Sequence, residues 1–243
     1  MSSARYVLLD ELRGFSLCSM IVYHICWNLD HLFEYPLAWF HTTAAYLWQQ
    51  SICTVFLLLA GISMHLTRRP MRHLLWVGGS AALITLTTWI FEPRGLIVFG
   101  ILHCIALCIV LFLLFRPLLD RIPTGFGLVC CVLLFFFTRT IPNHTVGFGP
   151  FQMPLPETWY LSDWLSIFGL LSPDFMSADY FPIFPNLFLF LAGVFLGRLL
   201  SRLPEWTRRT HCRPLAFMGR HSLLLYLLHQ PVSYGAMALL FAN

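Results

Sequence analysis

The sequence contains no lysine; all 15 basic residues are arginine. Charge of either sign is scarce, at 11% of residues, where a soluble domain carries roughly 25%. Scattered arginines with a net charge of +4 form no basic stripe, so nucleic-acid binding is excluded. There is no Cys-x-x-Cys pair, which rules out a zinc ribbon or a thioredoxin-like site, although eight cysteines are present. Seven of them (Cys18, Cys26, Cys53, Cys104, Cys108, Cys130, Cys131) sit inside apolar runs, where a small soft residue packs. Nucleotide hydrolysis lacks its Gly-x-x-x-x-Gly-Lys loop, a zincin its His-Glu-x-x-His, and a serine hydrolase its Gly-x-Ser-x-Gly elbow. No ligand spacing calls for a metal. Strict apolar/polar alternation is also missing, and an open sheet cannot exist in lipid, so a β-barrel is rejected.

What the chain has is apolar sequence. Hydrophobic residues make up 58% of its 243 residues, and the mean hydropathy is +0.73. The expectation is an all-α polytopic membrane helix bundle, a single domain over residues 1–243 with little outside the bilayer. A span needs about 20 mostly apolar residues. Seven stretches qualify: 6–29, 44–66, 72–91, 96–115, 124–141, 183–201 and 217–240. With the N-terminus inside, 13 arginines fall on the inner side and only Arg94 and Arg139 on the outer, which predicts N-inside, C-outside. The outer segment 142–182 is rich in proline and aromatic residues and holds Trp164–Leu171, too short to span and readable as an interfacial or re-entrant helix. Such a loop is either functional or a lid that only packs the outer surface.

Ionisable side chains within spans cost roughly 2.5–3.5 kcal/mol for a central arginine, so each needs a reason. Arg13 and His24 in the first span are 11 residues apart, close to three helical turns, and share a face. Asn28 and His31 extend that stripe. The alternative is that Arg13 snorkels to the inner headgroups and His24 caps a neighbouring helix. His103 lies in the fourth span, and Tyr226 and His229 share a face of the last one. Asp179 immediately precedes the sixth span. His24, His103, Asp179 and His229 all fall toward the outer half and are expected to line one polar cavity.

Leu9-Asp10-Glu11-Leu12-Arg13-Gly14, opening the first span, resembles the start of the heparan-α-glucosaminide N-acetyltransferase catalytic-domain family and its bacterial relatives. Four further blocks are similar to the bacterial branch: Phe56–Ser63, Phe99–His103, Asp179–Pro182, and Phe217–Ser222 through His229-Gln230-Pro231. The Arg13/His24 spacing also resembles the Arg-x10-His signature of the large bacterial membrane O-acyltransferase family. The resemblance implies an acyl-CoA-dependent acyltransferase in a bacterial cytoplasmic membrane. Its acyl donor would be cytosolic acetyl-CoA, and its acceptor an amine or hydroxyl of an amino sugar or other glycan on the far side. It leaves a homodimer open. Arg13 and Arg220, with Asn28 and Tyr226, are assigned to the donor, because guanidinium pairs bidentately with phosphate. A neutral histidine suits proton removal from the attacking acceptor. His24 is the first choice for this base. His41 is the second, because in the animal enzyme the active-site histidine lies in the first outer loop. His103, Asp179 and His229 are given supporting roles. A transporter or channel for a small anion or lipid, using the same polar seam, is the rival reading.

Overall fold

The computed structural model describes residues 6–200 and 203–241, without the Arg94 side chain. Arg5 and Arg202, both in the topological count above, lie outside the described residues.

The chain is helical as expected: α1 (Val7–His31), α2 (Thr43–Leu66), α3 (Pro70–Phe91), α4 (Ile101–Leu119), α5 (Thr124–Thr138), α6 (Ile183–Gly197), α7 (Arg213–Arg220) and α8 (Ser222–Leu240). Five helical stretches are long and apolar enough to cross a bilayer: α2, α3, α4, α8, and Thr124–Asn143, which contains α5. The other two expected spans differ for physical reasons. α1 has the length, 25 residues or about 37 Å, but Asp10, Glu11 and Arg13 charge its first two turns. α6 has the composition but only 15 residues, about 22 Å, against a hydrocarbon core of about 30 Å. Large apolar side chains of α3 and α5, among them Trp76, Trp89 and Phe126, point outward, which suits helices surrounded by lipid rather than water. The chain is an integral membrane protein.

Two compact units are formed. One comprises residues 1–56 and 202–243, the other 57–201. In the first unit α1 packs against α7, α8 and the start of α2 around Leu17, Met20 and Ile52, with Trp48, Met218 and Leu225. α1 and α7 approach at backbone distance. A Cβ on Gly14 would lie 2.1 Å from the Leu215 carbonyl oxygen, and one on Gly219 only 1.7 Å from that of Asp10. The expected last span at 217–240 is therefore two helices. They break at His221, whose φ of −106° and ψ of 20° is not helical, and α7 is a separate amphipathic element.

In the second unit α6 lies against the C-terminal part of α2 and against α5. Gly61 and Gly193 leave no room for a Cβ beside the Phe190 and Leu58 carbonyl oxygens. Small residues at such contacts let membrane helices approach closely. Cys131, Ala192 and Phe195 form the core between α5 and α6.

The segment after α5 carries β-structure that the all-α expectation omitted. β1 (Thr145–Phe148) pairs antiparallel with β2 (Phe151–Pro154), with Phe148 opposite Phe151 across Gly149-Pro150. Two short 3-10 helices follow, Glu157–Leu161 and Asp163–Phe168, in place of the single helix expected at 164–171. Ile141, Tyr160 and Leu170 give this loop its own small core.

Candidate functional site

The first unit holds a chain of polar side chains between α1 and α8, of which Asn28, His229 and Ser233 are buried. Asn28 is fully buried, and its Nδ2 donates to Gln230 Oε1 at 3.0 Å and to Ser233 Oγ at 3.4 Å. Gln230 Nε2 faces His24 Nδ1 at 3.3 Å. The His24 ring lies 4.8 Å, centroid to centroid, from that of buried His229. His229 Nδ1 meets the Tyr226 carbonyl oxygen one turn back on its own helix. Two buried polar atoms here, Asn28 Oδ1 and His229 Nε2, have no hydrogen-bond partner. Unpaired buried polar atoms are uncommon and costly. Pro231, inside α8, has no N–H for the ladder, which loosens the helix where His229 and Gln230 project.

A second cluster sits just beyond α1. Asp30 Oδ2 accepts from His41 Nε2 at 2.9 Å and from His31 Nδ1 at 3.2 Å, while Asp30 Oδ1 accepts the Leu37 N–H at 2.7 Å. The Leu37 amide, with the two histidines, holds the Asp30 carboxyl below the usual carboxylate range. His41 is oriented by this carboxylate and its side chain is 63% exposed.

At the other end of α1 the charges have structural partners. Glu11 accepts the backbone N–H of His211 and of Cys212, both at 2.7 Å, and His211 Nδ1 at 3.2 Å. A carboxylate therefore caps the N-terminus of α7, where the helix dipole favours negative charge. Arg13 pairs with Asp10 at 3.1 Å. Arg220 is exposed, and its Nε donates to the Ala216 carbonyl oxygen at 3.1 Å.

His103 and Asp179 belong to the second unit. Thr85 Oγ gives its proton to the Ile97 carbonyl oxygen at 2.8 Å, so it accepts from His103 Nε2–H at 3.0 Å. His103 also borders a groove of about 360 Å³ with Gly78, Ala81, Phe99 and Ala106. Asp179 Oδ2 accepts the Ile101 N–H at the start of α4, at 3.4 Å. Its neighbours lace the two loops together through Ala178 N–H to Leu96 and Phe181 N–H to Phe99. Burial pushes the Asp179 carboxyl up to about 6. Within the first unit His24 lies beside His229; within the second, His103 lies in the first turn of α4 and Asp179 binds the Ile101 N–H that opens it. Among the described residues no group of three or more histidine, cysteine, aspartate or glutamate side chains is arranged to hold a metal ion.

The family model described as "Heparan-alpha-glucosaminide N-acetyltransferase, catalytic" matches residues 5–231. The chain belongs to this family. The match takes in α1, the second unit and α8 as far as Pro231, so His24, Asn28, His41, His103, Asp179, His229 and Gln230 fall within it, and Ser233 lies two residues beyond its end. Neither a curated protein nor a solved structure is significantly similar to the chain.

Gln230 and Ser233 are the two members of this polar chain to which the sequence assigned no role. The signal was present, because Ser222, Tyr226, His229 and Ser233 recur at intervals of four, three and four along one face of α8. Gln230 lies one residue off that stripe, and only the fold shows that it reaches α1.

Proposed function

We propose that this protein is a transmembrane acetyltransferase. It takes the acetyl group of cytosolic acetyl-CoA and passes it to an amine or hydroxyl of a glycan on the opposite side of the membrane, with a histidine as general base. The observation that carries this reading is the His24–His229 pair, with His229 buried, tied to Asn28, Gln230 and Ser233, in a chain whose family is defined by acetyl transfer. A neutral imidazole in a dry site is suited to removing a proton from an acceptor as it attacks a thioester. Excluding bulk water also protects the donor from hydrolysis. In this reading the N-terminus is cytosolic, as the arginine distribution favours, and Arg13, Asn28, Tyr226 and Arg220 serve the donor.

The Asp30–His41 pair supports a second placement of the base. A carboxylate-oriented, exposed histidine at the end of α1 is also competent to take a proton from an acceptor.

The test uses the detergent-purified full chain. Isothermal titration with acetyl-CoA and CoA is expected to show binding. Radiolabelled acetyl-CoA offered to a panel of amino sugars, sugar alcohols and lipid-linked glycans is expected to label at least one of them. A protein that binds neither CoA form and labels no acceptor is not an acetyltransferase, and the polar seam then belongs to a transporter or channel.

A further inference from the structure

Within the acetyltransferase reading, on which this inference rests, we infer that the two histidines of the α1–α8 pair have fixed and opposite roles: His229 Nε2 is the base, and His24 Nε2–H is the hydrogen-bond donor to the developing oxyanion.

A backbone carbonyl can only accept, so the contact between His229 Nδ1 and the Tyr226 carbonyl oxygen puts the proton of neutral His229 on Nδ1. Its Nε2 is then a bare lone pair, and that atom is buried without a partner. His229 is 9% exposed, so bulk water does not occupy the position freely. A helix carbonyl thus does for this imidazole what a carboxylate does in a Ser-His-Asp triad: it selects the tautomer and points the lone pair.

His24 is wired the other way. Gln230 Oε1 is engaged by Asn28 Nδ2 at 3.0 Å and lies 3.3 Å from Ser233 Oγ, so the amide end that reaches His24 is its NH2, a donor only. His24 Nδ1 therefore accepts, and the proton of neutral His24 sits on Nε2. In this arrangement His24 has no free lone pair to act as a base, but it has an N–H to give. The two rings are 4.8 Å apart, close enough to serve two substituents of one reacting carbon. The unpartnered Asn28 Oδ1 is a further hydrogen-bond acceptor in the same cluster.

The transfer then balances. The acceptor nitrogen or oxygen forms a bond to the thioester carbonyl carbon, and its proton moves to His229 Nε2. The carbonyl π electrons move onto oxygen, where His24 Nε2–H donates. Collapse re-forms the carbonyl and breaks the carbon–sulfur bond. The thiolate leaves and takes the proton from His229. An acyl thioester plus an amine or alcohol becomes an amide or ester plus a thiol, with no other reactant.

Two measurements test the assignment. In the wild-type full chain with 15N-labelled histidine, NMR distinguishes Nδ1–H from Nε2–H tautomers, with His24→Gln and His229→Gln each deleting one residue's signals. The expected result is Nδ1–H for His229 and Nε2–H for His24; the reverse pattern for either ring overturns the proposal. In turnover with acetyl-CoA and an acceptor identified by the labelling screen, His229→Gln is expected to lose about 10²–10⁴-fold in kcat, the usual contribution of a general base, with CoA affinity unchanged. His24→Gln keeps an N–H donor and is expected to retain part of its turnover. Because His24→Gln is read on its own, the test survives a His229→Gln protein that fails to fold. Complete loss in His24→Gln with near-normal turnover in His229→Gln reverses the roles and refutes the inference. A wild-type protein that transfers nothing fails the acetyltransferase reading itself, and the base assignment with it; that outcome is distinct from a reversed pattern in an active enzyme.

Discussion

Replacing Gly219 by alanine isolates the contact that builds the first unit. The new Cβ would stand 1.7 Å from the Asp10 carbonyl oxygen and 2.6 Å from its carbon, both backbone atoms that no side-chain rotation can move aside. Non-bonded carbon atoms settle at roughly 3.5–4.0 Å, so α7 has to withdraw from α1 by about 2 Å. The three bonds of Glu11 to His211 and Cys212, at 2.7, 2.7 and 3.2 Å, do not survive such a shift. Overpacking alone costs about 1–3 kcal/mol. A lost hydrogen bond to a charged group costs about 1.5–3 kcal/mol. The two losses overlap, because one displacement causes both, and about 4 kcal/mol is a reasonable total. For a chain of this size that lowers Tm by roughly 10 °C. The assay is thermal unfolding in detergent, monitored by loss of the monodisperse peak in fluorescence-detected size exclusion. Gly235→Ala in α8 is the control, since nothing lies within 4 Å of its added Cβ, and there alanine should be neutral or stabilising by up to about 1 kcal/mol. Equal Tm values for Gly219→Ala and Gly235→Ala would refute the close approach of α1 and α7.

Three further outcomes follow from the same geometry. Glu11→Gln keeps the size of the side chain but removes its charge from the α7 N-terminus, and should lower Tm by an amount equivalent to about 1–2 kcal/mol, less than Gly219→Ala; an unchanged Tm would mean that the cap is not formed. For Asp179 the folded-state value, about 6, lies above the usual carboxylate range, so the folded protein binds this proton more tightly than the unfolded chain and stability falls as pH rises toward 6 and stays lower above it. Asp179→Asn should therefore gain Tm relative to wild type at pH 7 and lose that advantage near pH 4, and a pH-independent difference in Tm would contradict the buried-carboxyl account. Asp30→Asn weakens the hold on His41 and should leave turnover close to wild type if the His24–His229 pair does the chemistry; a collapse of turnover moves the base to His41.

Most helices were legible because lipid-facing segments announce themselves as long apolar runs, and α2 to α5 and α8 carry such runs. α7 was not, because its eight residues continue directly into the apolar run of α8 and only the backbone at His221 separates them. The hairpin β1–β2 left a cue in Gly149-Pro150 between two phenylalanines, a two-residue turn signal that the surrounding proline-rich loop obscured. In the site, His24 and Asn28 were readable from their spacing of four on one helix. Their partners Gln230 and Ser233 are about 200 residues away, and a pairing across that distance is set by packing rather than by local pattern. The motif Asp10-Glu11-Leu12-Arg13-Gly14 was recognisable, but the duties of Glu11 and Gly14 were not. Both serve to seat α7, one by capping it and the other by vanishing beneath Leu215.

The pairing of α1 with α7 also sets a timetable for biosynthesis. The second unit is one uninterrupted stretch, 57–201, whereas the first joins two stretches separated by it. Glu11 emerges from the ribosome 200 residues ahead of His211. At the usual 5–20 residues per second the carboxylate waits about 10–40 s for the amides that will bind it. During that interval α1 presents an unmatched charged end and an open glycine groove, while the second unit can assemble as it appears. A chain interrupted after the second unit is complete but before Arg213 would therefore be expected to carry a foldable second unit and an α1 with no mate.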